Sequence, residues 1–376
     1  FLVFFTTPVE ARGRIGFPGN YAELVVDNGQ LSMPVFGRVA ELEAAGSNRT
    51  LTQPADLVAR YSRFDVANTW RNLTMTPDFQ SLAQAAAELY PQSGGQPIDG
   101  LLSVDPAGMA AIMRYTGPVE VEGLPEPLTT DNAERYLMSD QYVQFADDND
   151  RRVEVLDEVT ETAFDRLTSL DLPGPRALSD QLDPIVDGGH IQFTTLKPET
   201  QWPLQIAGVT GMLLPPGGTD TVTVTTANAG ASKIDLFLKR REQYDVLWDP
   251  QTGEVAGTLR VTLENTAPSA GWPDYVIGNS VGLPPGTNAF AGFWIQESRL
   301  QGDWRQREPW ATFLGASYFR AVGEQGQVGM SARGLALNVA SSTPEEFPDF
   351  VAHWISPAAT ETDPVERVSG MATPRV

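Results

Sequence analysis

Glu10 and Asp140 are the two carboxylates whose positions in the sequence best suit acid–base chemistry on a sugar. Glu10 follows the first apolar run, in a glycine-rich loop with Arg12 and Arg14, and Asp140 lies inside a predicted helix, where aspartate has a low propensity. Cleavage of a glycosidic bond needs one carboxyl group that donates a proton and a second that attacks the anomeric carbon or activates water. We therefore predict Glu10 and Asp140 as a catalytic pair. The alternative is that Asp140 is a solvated helix-surface acid and Glu10 the ion-pair partner of Arg12.

A second set of polar and aromatic residues is predicted to bind substrate. Arginine binds carboxylates, phosphates and hydroxyl groups through a planar fork of donors, asparagine can bond sugar hydroxyls, and tyrosine can stack on a sugar ring. Ion pairing with the many acidic residues is the alternative for the arginines, and core packing is the alternative for the tyrosine. The predicted binding residues are Arg12, Arg14, Asn20, Arg38, Arg60, Arg135, Tyr142 and Arg152.

Three further features favour structural roles. Asp105 precedes Pro106 at the start of a predicted helix, which indicates a helix cap. His190 follows Gly188-Gly189 and could reach the edge of a cleft, but a lone histidine is more often structural. The run 147–150, Asp-Asp-Asn-Asp, offers oxygen ligands for Mg²⁺ or Ca²⁺, yet its spacing does not match a calcium-binding helix–loop–helix, so a solvated helix junction is favoured. The sequence assigns no metal site.

Composition limits the classes of function. The 376 residues carry a formal net charge of −22, which disfavours nucleic acid and anionic membrane surfaces as partners. The chain contains no cysteine and only 2 histidines, so disulfides, thiolate chemistry and histidine-rich metal centres are excluded. An acidic, proline-rich, cysteine-free chain that starts on an apolar strand is typical of an exported bacterial protein. We expect an extracytoplasmic location, and a longer natural chain with a possible membrane tether upstream.

Strand and helix patterns alternate in the first half of the chain, which predicts a layered α-β-α domain over residues 1–215. The predicted strands are 1–6, 21–27, 30–36 and 98–104, and residues 27–29 predict a tight hairpin turn. The predicted helices are 77–91, 106–115, 129–145, 150–171 and 176–187. Residues 188–215 are expected to be irregular.

The second half has a different character. Residues 221–226 and 259–264 alternate between apolar and polar side chains, and residues 249–253 predict a hairpin turn. Short strands with Gly, Pro and Asn turns favour an antiparallel, immunoglobulin-like β-sandwich over residues 216–360. Residues 361–376 are predicted to be a polar tail.

Several blocks resemble the exported bacterial proteins grouped as domain of unknown function 4012. One is residues 9–21, Val-Glu-Ala-Arg-Gly-Arg-Ile-Gly-Phe-Pro-Gly-Asn-Tyr, and another is residues 98–106, Ile-Asp-Gly-Leu-Leu-Ser-Val-Asp-Pro. Residues 115–119, 132–142, 228–235 and 265–268 fit the same pattern in the same order. The sequence departs from the usual Thr-Gly-Gly of the family, since Arg14-Ile15-Gly16 stands there.

More remotely, the layout is similar to the LytR–CpsA–Psr enzymes, which transfer envelope glycans from a lipid pyrophosphate to the cell wall. Where those enzymes carry two helix arginines, this sequence has Asp140 and Tyr142. The resemblance therefore implies a glycan-binding scaffold with weakened pyrophosphate chemistry.

The leading hypothesis is an enzyme that cleaves, and possibly re-forms, glycosidic bonds in a bacterial envelope polysaccharide, with arabinan as one guess and no cofactor. The first alternative is a LytR–CpsA–Psr-like transferase, for which Mg²⁺ would be expected. The second alternative is a non-catalytic envelope adaptor.

Overall fold

The computed structural model describes residues 1–170, 175–213, 224–228, 232–251, 255–268 and 271–277, together with six further strands between residues 291 and 355. Its contacts divide the chain into two compact units, Phe1–Leu213 and Leu214–Val376. The polar tail predicted for residues 361–376 lies outside the described residues.

A five-stranded sheet forms the centre of the first unit. Its strands are β1 (Leu2–Thr7), β2 (Phe17–Asp27), β3 (Gln30–Arg38), β4 (Gly100–Val104) and β5 (Ile191–Thr195), in the order β3-β2-β1-β4-β5. The β1–β4 pair is parallel and the other neighbouring pairs are antiparallel. The predicted hairpin is confirmed as β2–β3, and its turn residues Asn28 and Gly29 have φ values of 50° and 82°, the left-handed backbone that tight hairpins require.

Helices cover both faces of this sheet, because β1 is apolar on both of its sides. Leu2 and Phe4 pack into one core with α1 (Val39–Ala44), α2 (Ala55–Tyr61), α3 (Trp70–Leu73) and α4 (Phe79–Leu89). Val3 and Phe5 pack into the other core with α5 (Pro106–Thr116), α6 (Ala133–Arg135) and α8 (Asn149–Ser169), and α7 (Gln141–Gln144) lies between the last two in sequence. The α/β prediction for this unit is thus confirmed, with three layers.

Three details differ from the sequence prediction. Helices α1 to α3 were not expected, because none exceeds 7 residues and a short helix has weak periodicity. The predicted helix 129–145 is interrupted by a π-helical segment, Tyr136–Asp140. The segment 188–213 is not irregular, because it contains β5 and the helix α10 (Pro198–Ile206). The helix α9 (Pro175–Asp187) precedes β5, and residues 214–215 of the predicted irregular segment lie outside the described residues.

The second unit is described mainly by its strands. These are β6 (Thr226–Asn228), β7 (Leu238–Trp248), β8 (Val255–Asn265), β9 (Ala291–Arg299), β10 (Thr312–Tyr318), β11 (Val322–Gly323), β12 (Gly326–Gln327), β13 (Ala332–Val339) and β14 (His353–Ile355). A short helix, α11 (Asp274–Ile277), follows β8. Among the described residues the strands form three sheets: one has the order β14-β9-β10-β6, one pairs β11 with β12, and one has the order β13-β8-β7.

Trp70 is expected to be a main contributor to the stability of the first unit. Its indole is fully buried, meets Phe4 and Tyr90 edge to face, and donates from Nε1 to Ser93 Oγ at 3.0 Å. Trp70→Ala should lower the free energy of unfolding by about 3–5 kcal/mol in urea titrations followed by circular dichroism. Trp202→Ala is the control, because Trp202 is 66% exposed. Equal effects of the two substitutions would contradict the described core.

Candidate functional site

One edge of the sheet collects polar side chains that the fold places side by side. The pairing register aligns Arg38, Asn20, Phe5, Val104 and Ile191 in a row across the five strands. This row lies at the carboxyl ends of the parallel strands β1 and β4. From there β1 leads to its antiparallel neighbour β2, and β4 leads into the helix α5. The carboxyl ends of parallel strands are the usual place for ligands in α/β sheets.

Asn20 and Arg38 converge on Asp157 of α8, which packs over β3. Asn20 Nδ2 donates to Asp157 Oδ1 at 2.6 Å. Arg38 Nε lies 3.7 Å from Asp157 Oδ2, which is close enough for an ion pair but long for a hydrogen bond. Asn20 and Arg38, both predicted to bind substrate, therefore contact the same carboxylate.

The Asp157 carboxyl group is held in a setting that favours its protonated form. Partial burial raises its pKa, and the negative charges of Glu41 and Glu161 raise it further. The hydrogen bond from Asn20 and the positive charge of Arg38 lower the pKa, but the net shift is upward. The side chain remains 29% exposed, so a ligand can reach it. A reachable carboxyl group with a raised pKa is the property of a general acid.

Glu10 is buried in an ion pair rather than presented to solvent. Its Oε1 lies 3.0 Å from Arg12 Nη2, and the two side chains are 3% and 10% exposed. The loop that carries them packs on the Thr74–Thr76 backbone, because a Cβ on Gly13 would lie 2.4 Å from the Thr74 carbonyl oxygen. The negative charge of Glu10 also raises the pKa of Arg71. Glu10 thus belongs to the α1–α4 side of the sheet.

Asp140 belongs to the opposite layer. It ends the π-helical segment whose Tyr136 packs with α5 and α8, and its Oδ2 lies 3.0 Å from Arg135 Nε. Its Oδ1 accepts from Ser139 Oγ at 2.9 Å. Because Glu10 and Asp140 sit in layers on opposite faces of the sheet, the structure does not unite them in one site.

The other predicted binding residues are dispersed. Tyr142 is only 2% exposed, so its ring face is not open to a sugar, and the Arg152 guanidinium lies 5.3 Å from its ring centroid. Arg152 also donates to Gln141 Oε1 at 3.0 Å. Arg14 is exposed and lies near Asp78. The side chain of Arg60 lies outside the described part of the structure.

Asp105 and His190 form a second polar pair on the same edge. Asp105 Oδ1 accepts from the Gly108 backbone N–H at 2.9 Å, which confirms the predicted helix cap. Asp105 Oδ2 lies 2.7 Å from His190 Nδ1, and the Asp105 backbone N–H donates to the His190 carbonyl oxygen at 3.1 Å. The Asp105 hydrogen bond raises the pKa of His190, burial lowers it, and the Asp105 and Glu134 charges raise it, with a net upward shift.

In the described part of the chain, no three His, Asp or Glu side chains come together in a way that could hold a metal ion. In the acidic run 147–150, Asp148 caps α8 by accepting from the Arg151 backbone N–H at 3.0 Å. No helix in the described ranges is both long and apolar enough to cross a membrane.

Sequence reasoning missed Asp157 because it shares one side of α8 with the other acidic residues of that helix, a pattern that is typical of a solvated helix face. One signal could have found it. Asp157 precedes the buried Phe164 by two helical turns, so it lies on the face that α8 turns toward the sheet.

Residues 1–142 match the family described as Protein of unknown function (DUF4012). The resemblance to this family is thereby confirmed for the part of the chain from β1 to the start of α7. Asn20 and Arg38 lie within the DUF4012 match, whereas Asp157 and His190 follow it. No solved structure matches.

A different family matches the end of the chain. Residues 278–374 match the family described as Periplasmic glucan biosynthesis protein, MdoG. The protein "Glucans biosynthesis protein D" of Xylella fastidiosa strain M12 is 46% identical over 98 residues, 26% of this chain and 17% of that protein. "Glucans biosynthesis protein D 2" of Ralstonia nicotianae is 50% identical over 82 residues, 20% of this chain and 15% of that protein.

These matches set a carbohydrate-related cell-envelope context. The chain spans about a sixth of the length of the curated relatives named above, since the match to the first of them covers 17%. The expected extracytoplasmic location agrees with the periplasmic location in the family description.

The Asp105–His190 pair predicts a pH-dependent contribution to stability. Because the pKa of His190 is raised in the folded state, its contribution is fully present below the unfolded value of about 6.5 and is lost as the pH rises through the folded pKa. The difference in unfolding free energy between wild type and His190→Asn should therefore be largest near pH 5 and shrink toward pH 8. Urea titrations at several pH values measure it. A difference that grows with pH would contradict the pairing.

Proposed function

We propose that this protein is an extracytoplasmic enzyme that cleaves glycosidic bonds in an envelope polysaccharide and re-forms them when an acceptor sugar is present. The observation that carries the proposal is the Asp157 carboxyl group at the carboxyl edge of the sheet, with its raised pKa and its contacts to Asn20 and Arg38. In this proposal Asp157 protonates the leaving glycosidic oxygen.

The charges around Asp157 support the role of proton donor. Glu41 and Glu161 are exposed carboxylates whose negative charges disfavour ionisation of Asp157, and Asn20 fixes the carboxyl group by a hydrogen bond to Oδ1. A proton donor of this kind needs both a raised pKa and a fixed direction. Asn20 and Arg38 also place an amide and a guanidinium beside the carboxyl group, where they can bond sugar hydroxyls.

This assignment replaces Glu10 and Asp140 as the catalytic carboxylates. Glu10 is 3% exposed and paired with Arg12, so it has little access to a ligand. Both oxygens of Asp140 already contact neighbours in its own helical segment. The chemistry predicted from the sequence is retained, and the proton donor moves to α8.

A glucan is the first substrate to test, because the family that matches residues 278–374 is described as a periplasmic glucan biosynthesis protein. Arabinan, named in the sequence analysis, is the second substrate. The transferase alternative receives less support, because the described arginines Arg12, Arg38 and Arg135 each lie against a different carboxylate instead of converging on one anion site.

The second unit is proposed to be a β-sandwich that contributes to glycan binding. The antiparallel pairings of β7 with β8 and of β9 with β10 support this architecture. The LytR–CpsA–Psr-like character of the first unit is likewise a proposal, supported by its layered α/β arrangement.

Asp157→Asn should abolish cleavage while leaving the fold intact. The asparagine Oδ1 can still accept from Asn20, but the side chain cannot donate a carboxyl proton, so the rate should fall at least about 100-fold. The unfolding free energy at pH 7 should be unchanged or higher, because the disfavoured charge is removed. Wild type and variant are incubated with periplasmic-type glucans and with arabinan, and released oligosaccharides are measured by chromatography.

Two further variants sharpen the result. Asp165→Asn is the matched control, since Asp165 is an exposed acid on the same helix, and it should cleave as wild type does. Asp140→Asn should also remain active. If Asp140→Asn lost activity while Asp157→Asn kept it, Asp140 and not Asp157 would be the catalytic carboxylate. Glycan binding by a wild type that releases no product would favour the adaptor.

A further inference from the structure

The tip of the β2–β3 hairpin carries a pair of residues that can react with each other. Asn28 is the only asparagine of the chain that is followed by glycine. Asn28 and Gly29 form the turn between the two strands, which end in the pair Asp27 and Gln30. The carboxamide of an asparagine can react with the backbone nitrogen of the next residue, and glycine opposes this reaction least because it has no Cβ. The turn is therefore a candidate site of spontaneous modification.

The structure leaves the reacting groups of this turn accessible. Asn28 and Gly29 are both exposed, and no atom outside the adjacent residues lies within 4 Å of the position that a Cβ on Gly29 would take. The Gly29 N–H has no hydrogen-bond partner among the described residues. Asn28 Nδ2 donates to Asp27 Oδ1 at 2.9 Å, but this bond is exposed and water can replace it. The attacking nitrogen and the attacked carboxamide can therefore approach each other when the tip moves.

Asn48 provides a matched comparison in the same unit. Its φ of 70° is also left-handed, and its side chain is also exposed. The next residue, Arg49, is only 7% exposed, and its backbone N–H donates to Asn68 Oδ1 at 3.0 Å. The nitrogen that would have to attack is thus already bonded and belongs to a buried residue. Asn48 should be stable under conditions in which Asn28 reacts.

We propose that Asn28 is a site of spontaneous deamidation, which converts this position to a mixture of aspartate and isoaspartate. The Gly29 nitrogen loses its proton and bonds to Asn28 Cγ, while the bond between Cγ and Nδ2 breaks. Nδ2 leaves as ammonia, and a cyclic imide remains. Water then adds to one of the two imide carbonyl carbons and opens the ring, which gives aspartate or isoaspartate. Nothing is oxidised or reduced, and water is the only co-reactant.

Isoaspartate cannot preserve this turn. Its backbone runs through the former side-chain carboxyl group, so the connection between the strands becomes one atom longer, whereas a two-residue hairpin turn needs a left-handed backbone at both positions. The pairing next to the turn should therefore loosen. The pairing register shifts between Glu23 and Val25, which lie between the tip and the base of the hairpin. Asn20 and Arg38, at the base, should keep their contacts to Asp157.

Storage of the folded chain at neutral pH tests the proposal. Trypsin cleaves after lysine and arginine, so Asn28 falls in the peptide 15–38 and Asn48 in the peptide 39–49. Mass spectrometry over several weeks should show the peptide 15–38 changing from its amide to its acid mass, as two products of equal mass, while the peptide 39–49 keeps its amide. The conversion should be faster at alkaline pH, because the attacking nitrogen must lose its proton.

A variant and an unfolded reference separate the outcomes. Asn28→Gly, which keeps a residue suited to the left-handed turn, should remove both products. Acid products of the peptide 15–38 in this variant, or equal conversion of the peptide 39–49, would overturn the proposal. Conversion of Asn28 in guanidinium chloride but not in the folded chain would also overturn it, because the turn would then protect the residue.

This inference is independent of the proposed function. Glycan cleavage by the stored chain should equal that of the fresh chain, since the change is confined to the hairpin tip. A chain that deamidates at Asn28 but cleaves no glycan, fresh or stored, would remove the proposed function and leave the modification site in place.

Discussion

The parallel pairing of β1 with β4 is the constraint on which the rest of the first unit depends. Leu2, Val3 and Phe4 are fully buried, so β1 must be covered on both faces, and two helical layers follow from that requirement. From the carboxyl ends of these two strands, β1 leads to β2 and β4 leads into α5. The polar residues of the candidate site come from these strand ends and from the helices over them.

Charge pairing decides which of these carboxyl groups is available for proton transfer in the proposed reaction. Glu10 and Arg12 neutralise each other in a buried pair, and such a pair is costly to break because either partner alone would be an unpaired buried charge. Asp157 differs, because Arg38 lies at 3.7 Å and the nearby Glu41 and Glu161 oppose ionisation. One carboxylate is thus fixed in an ion pair, and the other has the raised pKa that the proposed proton donor requires.

The sequence predicted the parts of the fold that carry strong local signals. The Asp-Asn-Gly turn of residues 27–29, the Asp105–Pro106 cap and the apolar strand that begins at Leu2 are set by backbone conformation and burial, and all three are observed. Asn20 and Arg38 were identified as candidates from the chemistry of their side chains, because an amide and a guanidinium can bond sugar hydroxyls. Their common partner was not, because a contact across 137 residues between Asn20 and Asp157 leaves no local pattern. The π-helical segment at Asp140 was missed because it is only 5 residues long, too short for its change of helical periodicity to be read from the sequence.

The central claim is that the edge holding Asp157 is where a sugar chain is cleaved. A crystal structure of the Asp157→Asn variant soaked with an oligosaccharide of the cleaved polymer tests this most directly. The account predicts a glycosidic oxygen within hydrogen-bond distance of the residue 157 side chain, with Asn20 and Arg38 contacting the sugar hydroxyls. An oligosaccharide bound only elsewhere, for example against Asp140 and Arg135, would contradict it.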